Sequence, residues 1–242
     1  GIFYILTLSP IAAYAADQRE ALTSGRELEQ IEQLRRKLMP CDVMIDVGHG
    51  GIDGGTSAGE LLEKDLNLAI GRKLYATLQA RGYGVGITRL HDYALSDDSP
   101  FSSIRSRHLR DLKQRVYIAK VVKPKLFISI HTNYSSISSI RGPLVIHQGT
   151  AESYLFAQLL QESLNEAAQI QKKSYPSRRY FLLKGIKTPA LITEVGYISH
   201  YAERKKLFED AYQDELVKAI AQAIEQYFLI YYPAKINEQR SS

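Results

Sequence analysis

Cysteine is nearly absent from this chain: Cys41 stands alone in 242 residues. That excludes an internal disulfide framework and any zinc cluster built from several thiolates. A metal site here must therefore draw on histidine and carboxylate. Long basic runs and RNA-binding aromatic motifs are also missing, so nucleic acid is not an expected partner. The formal net charge of +5 favours approach to anionic material in general, such as wall polymer or anionic lipid, and selects none of it. No apolar run reaches the ~20 residues of a spanning helix, so no stable transmembrane segment is expected after processing. Internal repeats and a second domain are not visible.

What remains is an ordinary globular composition, 45% hydrophobic and 24% charged, in a chain long enough to bury a full core. Residues 1–15, with apolar Ile2 to Leu8 and then Ala13-Tyr14-Ala15, read as a signal-peptide remnant or leader ending in an A-x-A cleavage site. The expected location is extracytoplasmic, in the cell envelope. Residues 16–40 carry Leu22, Leu28, Ile31, Leu34 and Leu38 at helical spacing before Pro40, the pattern of an N-terminal amphipathic helix. Residues 41–232 form the expected catalytic domain, and 233–242 a polar tail.

Within that domain, strands are predicted at 42–47, 84–88, 125–130, 143–148, 179–183 and 190–195. Helices are predicted at 63–81, 106–122, 152–168 and 210–231. Alternation of this kind implies an α/β fold: one three-layer domain, a mostly parallel twisted sheet of about six strands with helices on both faces, plus the N-terminal helix. Ligands bind such sheets beyond the carboxyl ends of their strands. Three polar residues fall there: His49 after Val43 to Gly48, His131 after Leu126 to Ile130, and Glu194 after Ala190 to Thr193. Glu63 opens the helix that follows the first of these loops.

Each is ambiguous alone. Glycines flank His49 in His49-Gly50-Gly51-Ile52-Asp53-Gly54-Gly55 and allow close backbone approach, yet a phosphate loop would need the Lys-Ser/Thr ending that is missing here. Glu63 is also what a helix dipole favours at a first turn, and Asn67 one turn on could orient its carboxylate. Glu194 could be a proton carrier or an ion-paired strand-end acid. Taken together, two imidazoles and a carboxylate are the ligand set of a catalytic zinc, and a further carboxylate suits a base.

Four segments in order, Asp46 to Gly51, Glu63 with Asn67-Leu68-Ala69, Ser129 to Asn133, and Glu194 to Ser199, resemble the zinc-dependent N-acetylmuramoyl-L-alanine amidases of the cell-wall hydrolase type. The likeness spans about residues 42–230. It implies Zn2+ held by His49, Glu63 and His131, with Glu194 as the catalytic carboxylate, and Asn67, Asn133 and Arg89 as supporting or substrate-binding candidates. It implies peptidoglycan as substrate, cut between N-acetylmuramic acid and L-alanine. The compact domain without a wall-binding repeat is most like the spore-forming branch that prepares cortex for muramic-δ-lactam formation, which implies the forespore intermembrane space as an alternative location. A regulatory protein or lipoprotein is a candidate partner, because no long self-blocking helix stands between Arg89 and Arg115. His200 departs from the family pattern, where Asn is common, and is expected to face solvent.

Two other readings stay open: a zinc carboxypeptidase or deacetylase on the same ligand set, and a non-catalytic wall-binding or partner-dependent module. Arg89 and Arg115 could bind a peptide carboxylate or merely solvate the surface. Lys172, Lys173, Arg178, Arg179 and Lys184 form a basic stretch that could meet anionic polymer or simply be solvated. His91, His108 and His147 are expected to be structural or exposed, and Cys41 to pack as a small hydrophobe.

Overall fold

Alternating side chains along the buried strands divide the core in two, and the division places everything else. The computed structural model describes residues 41–232; the expected leader at 1–15, the expected helix at 16–40 and the expected tail at 233–242 lie outside the described residues. On β1 (Val43–Val47), Val43, Ile45 and Val47 join one cluster and Met44 the other; on β5 (Leu126–Asn133), Leu126, Ile128 and Ile130 join the first and Phe127 the second.

The first cluster is covered by α1 (Glu63–Ala80), α3 (Ala151–Ala168) and α6 (Asp210–Tyr231), which contribute Leu66, Ile70, Leu74, Phe156, Leu160, Leu216, Ile220 and Tyr227. The second is covered by α2 (Arg107–Val122) and α4 (Phe181–Gly185), through Val116, Ile118, Ala119, Leu182 and Leu183. Helices thus lie on both faces of one sheet, as the pattern required.

The remaining strands are β2 (Ser57–Ala58) and β3 (Leu61–Leu62), which pair only with each other, β4 (Val85–Ile87), β6 (Leu144–His147), β7 (Tyr175–Pro176) and β8 (Ala190–Tyr197). The six-stranded sheet runs β4-β1-β5-β8-β6-β7, parallel except that β6 opposes β8. From β1 the chain passes to β4 on one side, then crosses to β5 on the other. The crevice between the ends of β1 and β5 is therefore the switch point at which such sheets bind ligands.

One predicted element is wrong. Residues 179–183 were expected as a strand, but Phe181–Gly185 is helix α4, burying the consecutive Leu182 and Leu183 against Val116 and Ile186. A short apolar run reads alike in both states. The sixth strand is Tyr175–Pro176 at the sheet edge, where proline's missing donor does no harm. A further short helix, α5 (Tyr201–Leu207), follows β8, and His200 is its N-cap, its side chain accepting from the Glu203 N–H at 3.1 Å. His200 is thus half-buried and structural rather than free in solvent.

Candidate metal centre

His131 lies within β5, which continues to Asn133, and its register partner on the parallel neighbour β8 is Glu194. Register partners on adjacent parallel strands point to the same side. Both side chains therefore rise from the α2/α4 face, two residues beyond Ser129 and Ile192. From the other flank comes His49, two residues past the end of β1, in a left-handed conformation with φ +60°, uncommon outside glycine though less so for asparagine, aspartate and histidine. Its backbone turns the ring inward, and the two imidazoles meet edge to face at 5.0 Å between centroids.

Glu63, at the first position of α1, stands between them. Its Oε1 is 3.2 Å from His49 Nε2 and 3.0 Å from His131 Nδ1, and the three potential ligand atoms all lie within 4.8 Å of one another. The carboxylate is braced on every side: Oε1 accepts from Thr132 N–H at 3.0 Å and from Asn67 Nδ2 at 3.3 Å, and Oε2 from Thr56 N–H at 2.9 Å. Asn67 also donates to the Gly48 carbonyl and accepts from Thr132 Oγ1. The closeness needs glycine twice: a Cβ on Gly48 would stand 2.4 Å from His131 Cε1, and one on Gly55 2.6 Å from Glu63 Oε2.

Charge follows from this crowding. Burial penalises ionisation of Glu63, yet the two imidazoles hold it well below the carboxylate range. Burial likewise opposes a charged His49, but hydrogen bonds to Asp53 and Glu63 push it up to about 9. A His49 so charged would have to give up that proton to a bound cation, since a ligating imidazole is neutral, and two imidazoles with one carboxylate is the donor set of a catalytic zinc. Asp53 Oδ2 holds His49 Nδ1 at 2.9 Å, the outer-shell support that orients metal-bound histidines.

Glu194 is 9% exposed, and its Oε2 is buried with no hydrogen-bond partner among the described residues. Burial, with the nearby Glu63 charge, pushes its carboxyl up to about 7 against the pull of the histidines. A carboxyl so poised beside the ligand cluster has the proton affinity of a base working near neutrality.

The loop bearing His49 is held from beneath by two arginines. Arg115 is buried, paired with Asp46 at 2.6 Å and Asp111 at 2.6 Å, and donates to the carbonyls of Val47 and His49. Ser129 Oγ donates to the other Asp46 oxygen at 2.6 Å. Arg89 is equally buried, donating to the carbonyls of Val47, Gly48, Lys64 and His91. Neither arginine solvates the surface, and neither offers a free guanidinium to substrate. Both instead tie β1 to its loop.

Asn133 ends β5 two residues past His131, its Oδ1 accepting from Tyr134 N–H at 2.7 Å. His147 is buried, with Nδ1 accepting from Gly149 N–H. Cys41 packs against the second cluster, its thiol pushed up to about 12 mainly by burial. Asp53, Thr56 and Thr132 were not singled out in the sequence. Asp53 sits four residues after His49 in a glycine-rich loop, a weak signal, and the threonines carry none.

Residues 43–226 match the family model described as N-acetylmuramoyl-L-alanine amidase, Amidase_3. The germination-specific N-acetylmuramoyl-L-alanine amidase of Bacillus subtilis (strain 168) is 31% identical over 188 residues, 77% of this chain and 79% of that protein. The amidase LytC of the same organism is 27% identical over 81% of this chain but 37% of its own length. Among solved structures, the CwlD amidase from Clostridioides difficile in complex with the GerS lipoprotein superposes with a TM-score of 0.73 at 29% identity, covering 78% of this chain and 98% of that one. The catalytic domain of CwlV from Bacillus (Paenibacillus) polymyxa gives 0.66 at 28% identity over 77% and 97%.

Proposed function

Because the chain belongs to the N-acetylmuramoyl-L-alanine amidase family and is a peptidoglycan amidase, we propose that it is a zinc enzyme of spore cortex, releasing stem peptides so that muramic-δ-lactam can form. The observation that carries the zinc reading is the convergence of His49, Glu63 and His131 beside an unpartnered buried carboxylate oxygen. The cortex reading rests on the likeness to the germination-specific and CwlD enzymes.

A zinc ion held there would polarise the scissile carbonyl and make water acidic enough to deliver hydroxide at neutral pH. Glu194 takes the proton from the attacking water on Oε2 and returns it to the departing alanine amine. His49 is kept in one tautomer by Asp53, so that Nε2 faces inward. Asn67, Thr56 and Thr132 keep the Glu63 carboxylate aimed at the histidines, which in turn hold it ionised. The extracytoplasmic side of the membrane is where such a substrate lies. None of the described helices is long and apolar enough to cross a membrane. A lipoprotein partner is part of the proposal, by analogy with the complex in which CwlD was solved.

The deciding measurement is mass spectrometry of purified cortex peptidoglycan incubated with zinc-loaded protein. Free stem peptides with an unblocked L-alanine amine are expected. Released amino acid would mark a carboxypeptidase, released acetate a deacetylase, and unchanged muropeptides a binding module. Glu194→Gln should retain zinc by elemental analysis while cutting kcat at least a hundredfold, the lower range for a positioned acid–base group.

A further inference from the structure

Between Glu166 and Glu194 the chain has no acidic residue but six cations: Lys172, Lys173, Arg178, Arg179, Lys184 and Lys187. Solvation alone is the usual fate of such a run, and here the fold gives it a particular place. Tyr175 on β7 pairs with Ile146, which packs in the α2/α4 cluster, so Tyr175 faces the same side of the sheet as Ile192 and, two residues on, Glu194. Tyr180, the N-cap of α4, hydrogen-bonds Tyr175, and the two rings are 37% and 40% exposed. Its phenol is raised first by burial, then by that bond, and also by the charge of Glu194. Lys172 anchors the start of the segment against the site's own strand, its Nζ 4.6 Å from the Tyr197 ring centroid and 2.9 Å from the Gly142 carbonyl.

Arg178 and Arg179 lie between the two tyrosines in sequence, exposed and, among the described residues, without a salt bridge. A guanidinium fork matches a carboxylate with two parallel hydrogen bonds. Beyond the scissile amide, the stem peptide of the substrate carries free carboxylates. We propose that the segment from Lys172 to Lys184, with Arg178 and Arg179 at its centre and the Tyr175–Tyr180 pair toward Glu194, is the subsite that holds those carboxylates. The inference rests on the amidase reading and adds to it the side of the cleft along which the peptide runs.

The test is fluorescence anisotropy of a labelled stem tetrapeptide with free carboxylates, and of its amidated counterpart, on the full chain in low salt. R178Q/R179Q should weaken binding of the free-acid peptide about three- to tenfold, the yield of two exposed charge pairs. R178K/R179K should restore part of it. R72Q/K218Q removes the same charge from exposed positions on α1 and α6, across the sheet, and should leave binding within twofold. Equal affinity in R178Q/R179Q and wild type would overturn the subsite. So would equal losses for the amidated peptide or in R72Q/K218Q. A poly(glycerol phosphate) chain that binds in an arginine-dependent way while the peptide does not would reassign the surface to phosphate polymer and also overturn it. Cleavage of peptidoglycan is scored separately: cleavage without arginine-dependent peptide binding removes only the subsite, and such binding without cleavage removes only the hydrolytic reading.

Discussion

At the scale of single residues, the bond from Asp53 Oδ2 to His49 Nδ1 at 2.9 Å decides which ring nitrogen is left for Glu63 and a metal. Asp53→Asn should therefore weaken zinc affinity about 10- to 100-fold, measured by competition with a chromogenic chelator, while His49→Ala should abolish it. Glu194 is subject to a second, opposite pressure. Its carboxyl is pushed up to about 7, so the folded chain binds that proton more tightly than the unfolded chain does. Below about pH 4, where both states are protonated, the group costs nothing. The penalty grows as pH rises through 4 to 7 and is complete above 7. Metal-free Glu194→Gln should accordingly be more stable than wild type at pH 8, by roughly 2–3 kcal/mol in urea titrations, and the two should converge at pH 4. Zinc should lower the Glu194 titration, seen by carboxyl NMR, because a nearby positive charge favours the carboxylate. His49, His131 and Glu194 were legible as polar groups ending apolar strands, and Glu63 as an acid opening a helix. Asp53, Thr56, Thr132 and the buried pair Asp46–Arg115 were not, since their contacts depend on the path of a loop whose conformation no periodicity encodes.

At the scale of elements, α2 does more than cover a sheet face. Through Arg115 it grips the end of β1 and the start of the loop bearing His49 at once, bonding Asp46 and the carbonyls of Val47 and His49. Arg115→Met leaves the Asp46 carboxylate buried and uncompensated, a loss of about 3–5 kcal/mol. Adding Asp46→Asn should recover part of it, because neighbours in one network are not additive. Urea denaturation of the three variants checks the cycle. The long helices at 107–122, 151–168 and 210–231 matched their sequence signal closely because each presents a broad apolar stripe over several turns. The failure at 179–183 belongs to the same physics, since five residues are too few for a period to declare itself.

At the scale of the whole molecule, a metal held by His49, Glu63 and His131 would tie together segments far apart in the chain: the loop after β1, the start of α1 and the later part of β5. Ligand binding to the folded state alone should raise stability by about 2.7 kcal/mol at a zinc concentration 100 times Kd. That corresponds to a melting temperature roughly 5–10 °C higher, by calorimetry with and without chelator; the shift should vanish in His131→Ala. The pairing of His131 with Glu194 across β5 and β8 carries a longer consequence. Their separation is set by the spacing of neighbouring strands, ~4.8 Å in any sheet, and not by the particular side chains packed beneath. Core residues beneath can thus be exchanged for others of like volume without moving these two backbone positions apart.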